Sequence, residues 1–261
     1  LVCHPGMPSE ASPLGVRSRD AALIVGRMVS SERYKGHDEL LEIWPSVLAQ
    51  VDRAVLWIAG DGDDRARLEA KAAALGLSAR VKFLGELSEA ELRKLYFECS
   101  FFVMPSRDEG FGLVFLEAMR CGKACIGAAG AAAEIITDGE SGYVVEHGES
   151  AALTEAVARL FRDEELRKRM GESGLARFQE HFTVEHFQRR VGALLDAIRR
   201  PRMGPVEARP DFLPGRGKRI LLVDHQDSFV HTLANYLRQT GADVITLRAG
   251  FPRSELVALE P

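Results

Sequence analysis

The sequence has 261 residues, 46% apolar and 28% charged, with a formal net charge of −4. At roughly 150 residues per domain this allows one large domain or two small ones, and the composition excludes collagen-like and globally disordered chains. No apolar run approaches the roughly 18 residues of a membrane-spanning helix, and the mild acidity leaves no global electrostatic footprint for nucleic acid.

Residues 1–20 carry Pro and Ser without a sustained period and read as a linker, with neither the charged start nor the apolar stretch of a signal peptide. The chain begins LVCHPG, without an initiator Met, and closes on LEP, so neither end reads as a natural boundary. From residue 22 short apolar runs alternate with amphipathic segments. Residues 22–26 (ALIVG) are a predicted buried strand, and 37–51 a helix with Leu40, Leu41, Trp44, Val47 and Leu48 at helical spacing and Pro45 as a potential kink. A strand at 54–60, a helix at 65–75 closed by Gly76, and a strand at 80–85 follow. Ser88 and Glu91 fit a capping box that opens a helix to about Cys99. Next come a strand at 101–104, a helix at 112–121 ended by Gly122, a strand at 125–128, a short helix at 131–137 and a strand at 143–145. Such alternation predicts an α/β fold, a Rossmann-like parallel sheet with helices on both faces. Residues 149–200 read as helical in about three pieces. Pro201, Pro205, Pro210 and Pro214 then mark 201–217 as a linker. Residues 219–224, 228–240 and 242–247 read as strand, helix and strand, a short βαβ stub.

The chemistry-bearing stretch is EGFGLVFLE, residues 109–117. Its Gly-rich turn joins a strand to a helix at the carboxyl end of the sheet, where the first N–H groups of the helix and its dipole favour a phosphate. Gly110 and Gly112 let backbone approach a ligand without a Cβ in the way. Glu117, about a turn and a half into the helix, is placed to accept from vicinal ribose hydroxyls, and Glu109 stands on the loop before it. Gly26-Arg27 at a strand end and Lys35-Gly36 before a helix bring two cations to the same end of the sheet. A departing nucleoside diphosphate needs such charge in the transition state. The turn GAAGAAAE at 127–134 offers a third close approach of backbone. Each cluster alone is equally compatible with ordinary turns and solvated loop charges.

Taken in order, ALIVGRM…KGHDELL, LWIAGDGDDRARLEAKAAALGL, RVKFLGELSEAELRKLY, FFVMPSRDEGFGLVFLEAMRCGK and GAAGAAAEIITDGESGYVV resemble the C-terminal, donor-binding half of family-four retaining glycosyltransferases of the GT-B fold. The resemblance runs from about residue 22 to 200. It implies that the ligand is a nucleoside diphosphate sugar, with Gly26, Arg27 and Lys35 holding the diphosphate and Glu109 facing the donor sugar. It places Gly110, Phe111, Gly112, Leu113 and Val114 at the phosphate, Glu117 at the ribose, and backbone near Val81, Phe83 and Leu84 beside the nucleobase. Glu109, Lys35 and Arg27 are the implied catalytic group. The family is generally metal-independent, and no Asp-x-Asp pair lies near these motifs, so neither metal nor other cofactor is expected. Ala131 and Ala133 stand where the family usually has Gly and Pro, which alters the sugar-side loop. The implied partner is an N-terminal GT-B domain carrying the acceptor site. Only the tail of that domain is expected in residues 1–20, where Cys3-His4-Pro5-Gly6 resembles the interdomain connection, and the acceptor stays unknown. The terminal helix at 183–200 is expected to present an apolar face (Val184, Phe187, Val191, Leu194, Leu195, Ile198) lacking part of its partner.

Residues 218–248, KRILLVDHQDSFVHTLANYLRQTGADVITLR, resemble the opening of a class I glutamine amidotransferase, notably that of anthranilate synthase, through Val223-Asp224, Asp227-Ser228-Phe229 and Tyr236. No cysteine follows Cys125, so a catalytic triad is not expected here, and His225 and His231 read as surface histidines. Four cysteines (Cys3, Cys99, Cys121, Cys125) in a chain of this length are not a disulfide framework and point to a reducing compartment. The expected location is cytoplasmic, with a peripheral place at the inner face of the membrane as its variant. The Cys121–Cys125 spacing lacks a partner pair for zinc and reads as structural. The domains expected are thus a linker remnant at 1–20, a donor-binding domain at 21–200, a linker at 201–217 and an amidotransferase-like stub at 218–261. Three functions stay open: a partial retaining glycosyltransferase, inactive as this chain alone; a non-catalytic nucleotide-binding or interaction fragment; and part of an anthranilate synthase amidotransferase component.

Overall fold

The structure is a computed structural model that describes residues 5–8, 19–199, 215–224 and 230–248. Cys3, His4, most of the Pro-rich stretch, His225, Asp227, Ser228 and Phe229 lie outside the described residues, as does the side chain of His231. The chain divides into two compact units, Glu10–Gln179 and a second made of Leu1–Ser9 with Glu180–Pro261.

The first unit is built on a six-stranded parallel sheet of order β3-β2-β1-β4-β5-β6, with β1 at Ala21–Val25, β2 at Val55–Ala59, β3 at Val81–Gly85, β4 at Phe101–Met104, β5 at Cys125–Ala128 and β6 at Gly142–Val145. The register pairs Leu23 with Trp57 on one side and with Phe102 on the other. Ala21, Ala22, Leu23 and Ile24, and all of β4, are buried. That continuous burial is what a parallel strand covered on both faces shows. The order of strands reverses beside β1. Right-handed crossovers therefore put the helices after β1 and β2 on one face and those after β4 and β5 on the other. These are α1 (His37–Gln50) and α2 (Arg65–Ala74), then α4 (Leu113–Arg120) and α5 (Ala131–Ile135). Ligands of such sheets bind outside the carboxyl ends of the strands where the order reverses, here between β1 and β4.

Local sequence explains most element ends. The helix α3 (Glu89–Glu98) starts at the expected box: Ser88 Oγ accepts from Glu91 N–H, and the Glu91 carboxylate accepts from Ser88 N–H. Pro45 does not divide α1, which runs unbroken from His37 to Gln50. Its buried face, Leu40, Leu41, Trp44 and Val47, is held against the core, with Trp44 edge-on to Phe161 of α6 (Ser150–Arg162) at 6.2 Å between ring centres. That packing outweighs the one hydrogen bond a helical proline removes.

In the second unit Met7 pairs with Thr183, its N–H donating to Phe182 O at 2.8 Å. After Thr183 comes α8 (Val184–Arg199); α7 (Glu164–His181), before it, lies almost wholly in the first unit. The two strands β7 (Arg219–Asp224) and β8 (Asp243–Arg248) pair in parallel and are joined through α9 (Val230–Gln239), the expected βαβ arrangement. The apolar face of α8 is not left bare at its first turns. Phe187 and Val191 are buried with Tyr236, and Leu233 and Leu237 of α9 pack against them. An amphipathic helix covers its apolar stripe with whatever complementary stripe the chain brings near, and α9 supplies one.

Candidate functional site

The carboxyl end of β1 leads into Gly26-Arg27, and a 3-10 turn at Ser30–Lys35 leads on to α1. The loop after β2 clamps this connection. Met28 N–H donates to Asp61 O at 2.9 Å and Asp64 N–H returns to Met28 O at 2.9 Å. Gly60, with φ +129, lies so close that a Cβ there would fall 2.1 Å from Gly26 O. Side chains complete the clamp: Ser30 donates through N–H and Oγ to Asp63 at 2.8 and 2.7 Å, and Arg33 to both oxygens of Asp64 at 3.1 and 2.8 Å. Arg67 bridges Asp64 to Asp38, and Lys71 adds a second cation on Asp38. The Arg67 hydrogen bonds hold the Asp38 carboxyl down at about 2 and Asp64 well below the usual carboxylate range. On the other side, Arg107 N–H donates to Tyr34 O at 2.9 Å, tying the turn to the loop after β4.

Within this frame two of the residues expected from the motifs come into contact. Lys35 Nζ meets Glu109 Oε2 at 2.8 Å, with only 15% and 17% of the two side chains exposed. Seventy-four positions separate them in sequence. Lys35 also lies over the Tyr34 ring, 5.4 Å from its centre. Arg27 reaches solvent but is engaged by Glu32. Gly112 caps α4 with φ +86, and a Cβ there would sit 2.7 Å from the Phe115 ring. The Phe115 N–H returns to Gly112 O at 2.9 Å, and no side chain caps this helix start. The N–H groups of Leu113 and Val114 stand at that open, electropositive end, with Gly110 and Phe111 leading into it. Glu117 accepts from Tyr96 Oη at 2.7 Å. Burial and then the neighbouring Glu117 charge push the Tyr96 phenol well above 10, so it stays protonated and donates.

One placement departs from expectation. Phe83 and Leu84 are half-buried next to Gly85, whose carbonyl accepts from Gly60 N–H. Val81 instead opens β3 and is buried, about 13 Å upstream of Gly85 at ~3.3 Å per residue. It belongs to the amino end of the sheet, because a strand of this length carries its first residue away from the ligand end.

Sequence reasoning missed four residues here: Glu32, Tyr34, His37 and Tyr96. His37 is 3% exposed, its Nε2 has no partner, and burial lowers its pKa to about 4, so the ring is neutral near pH 7. It lies against Gly26, with Cε1 3.6 Å from where a Cβ of that glycine would be. Only Tyr96 left a sequence signal, since a buried tyrosine hydroxyl needs a partner. Cys99, Cys121 and Cys125 are buried, and burial pushes the Cys99 thiol up to about 11. Arg177, which nothing in the sequence marks, donates to the last carbonyls of α5 at Glu134 and Ile135.

The sequence model of the family described as "Glycosyl transferases group 1" matches residues 17–177, more than half of the chain. The chain belongs to that family. Among curated relatives, this group 1 chain is 38% identical over 133 residues to the lipopolysaccharide core biosynthesis mannosyltransferase LpcC of Rhizobium leguminosarum bv. viciae, covering 51% of the chain and 37% of the relative. It is 32% identical over 154 residues to the N-acetyl-alpha-D-glucosaminyl L-malate synthase of Bacillus anthracis, covering 59% and 40%. The chain thus spans two fifths or less of the length of these two relatives. Over 73 residues, 28% of the chain, it is 51% identical to the anthranilate synthase of Azospirillum brasilense, 10% of that protein. Among solved structures, Anabaena Alr3699/HepE in complex with UDP superposes with a TM-score of 0.62 at 27% identity, over 70% of this chain and 50% of that one. A point mutant of S. aureus TarM, at 19% identity and a TM-score of 0.66, over 72% of this chain and 38% of that one, shares the fold. No helix among the described residues is long and apolar enough to cross a membrane.

Proposed function

We propose that the first unit binds a nucleoside diphosphate sugar and serves as the donor half of a retaining glycosyltransferase. The observation that carries this reading is the Lys35–Glu109 pair beside the uncapped start of α4. Lys35 and Arg27 offer cations to the diphosphate. The N–H groups of Leu113 and Val114, reached through Gly110, Phe111 and Gly112, take its remaining oxygens, and the helix dipole adds to their pull. Glu117, steadied by Tyr96, accepts from the ribose hydroxyls, while Phe83 and Leu84 border the nucleobase. As the glycosidic bond breaks, negative charge grows on the leaving diphosphate, and fixed donors already aimed at it lower the barrier. Glu109 then faces the sugar that is released from the diphosphate. The relative named as a mannosyltransferase and the UDP-bound neighbour support a nucleotide-sugar donor. The acceptor and the wall that presents it belong to a further GT-B domain, because transfer needs both reactants held in one geometry.

Calorimetric titration with UDP, GDP and ADP tests the reading. Saturable binding of at least one, weakened by Lys35→Ala, is expected, and no binding of any of the three at millimolar concentration overturns it. A second reading applies to β7-α9-β8: the local identity to an anthranilate synthase supports these elements as the opening of a glutamine amidotransferase domain. Glutamine hydrolysis is not expected of the residues here, and ammonia release from glutamine by this chain would refute that.

A further inference from the structure

Arg27 and Glu32 are unequal partners. The arginine side chain is 57% exposed, the glutamate only 14%. Glu32 sits where the 3-10 turn is interrupted, at φ −117 and ψ 29, and its N–H donates to Val29 O at 2.8 Å. Before it the backbone is pinned by the Ser30 N–H on Asp63, and after it the Arg33 side chain is held on Asp64. The carboxylate is therefore the fixed member and the guanidinium the adjustable one. One carboxylate oxygen takes the Arg27 Nη2, and the other, Oε2, is buried without a partner. Leaving a buried carboxylate oxygen unmatched is costly, more than a merely solvated surface charge would bear. A guanidinium has five N–H donors in a rigid fork, so one edge can stay on a carboxylate while the others meet a phosphate.

We propose that Glu32 is the positioning residue of the diphosphate subsite: it fixes the Arg27 guanidinium so that its remaining N–H groups face the donor phosphates. The inference rests on the nucleotide-binding reading above. It makes the value of the pair geometric, since the negative charge of Glu32 by itself would repel a phosphate. An uncharged side chain that keeps the acceptor oxygen should therefore keep the function.

The test is a calorimetric double-mutant cycle using whichever of UDP, GDP or ADP the wild-type chain binds. Glu32→Ala is expected to weaken binding about tenfold, the scale of a hydrogen bond to a charged group, and Glu32→Gln to stay within about threefold of wild type. In an Arg27→Ala background, Glu32→Ala should have no further effect, a coupling that general damage to the turn would not produce. Tighter or unchanged binding by Glu32→Ala overturns the proposal, as does an equal loss in the Arg27→Ala background or a Glu32→Gln variant as weak as Glu32→Ala. Failure of the wild type to bind any of the three nucleotides instead overturns the function reading, and this proposal with it.

Discussion

Replacing His37 by Gln isolates the energetic consequence of burying a titratable ring at the end of β1. The imidazole is 3% exposed. Burial is the main cause that lowers its pKa from the usual 6.5 to about 4; Lys35 and Arg67 push the same way, while Asp38 and Asp64 oppose them. The unfolded chain takes up this proton near pH 6.5 and the folded chain only near 4. The contribution is therefore fully present above pH 6.5 and is lost as pH falls toward about 4. A displacement of this size corresponds to about 3 kcal/mol. Glutamine is polar and does not titrate, so all other groups cancel in the difference between the two proteins. Urea unfolding of wild type and His37→Gln at about pH 7 and about pH 4 should show their stability difference shifting by about 3 kcal/mol in favour of the variant at the lower pH. A pH-independent difference refutes the reasoning, as does a ring-proton NMR titration of His37 with its midpoint near 6.5.

Tyr96→Phe removes the hydroxyl that Glu117 accepts from; unfolding free energy should fall by about 1.5–3 kcal/mol, the range for hydrogen bonds to charged groups, as read by denaturant titration. Asp38 is held at about 2, chiefly by Arg67. Its stabilisation is present above its unfolded value near 3.8 and is lost as pH falls toward 2, so Asp38→Asn should flatten the acid limb of a thermal-stability profile over that window. Gly112→Ala places a Cβ 2.7 Å from Phe115 at φ +86, which should cost about 1–3 kcal/mol of stability and weaken nucleotide binding measured by calorimetry, whereas an alanine at the open Gly76 position should cost stability without touching nucleotide affinity.

The alternating pattern from residue 22 to 145, the Ser88–Glu91 box and the glycines after α2 and α4 made the sheet and most helix ends legible in advance, because they depend on local periodicity and on φ values only glycine adopts freely. The cationic and Gly-rich motifs nominated Arg27, Lys35, Glu109 and Glu117 as candidate site residues without a structure. Which charges face one another was not legible. Lys35 meets Glu109 across 74 positions, and Tyr96 reaches Glu117 from another helix; such pairs arise only when the reversed strand order sets β1 beside β4. Pro45 did not divide α1 for a similar reason, since the packing of Trp44 on Phe161 outweighs a local rule. Val81 fell at the wrong end of its strand because a motif fixes a segment but not how far along the sheet each residue lies. Sequence by itself determined the fold class and nominated the chemical types at the candidate site. Tertiary structure decided their partners and charge states: burial and contact are properties of a place in the fold, and His37 and Glu32 acquired theirs only there.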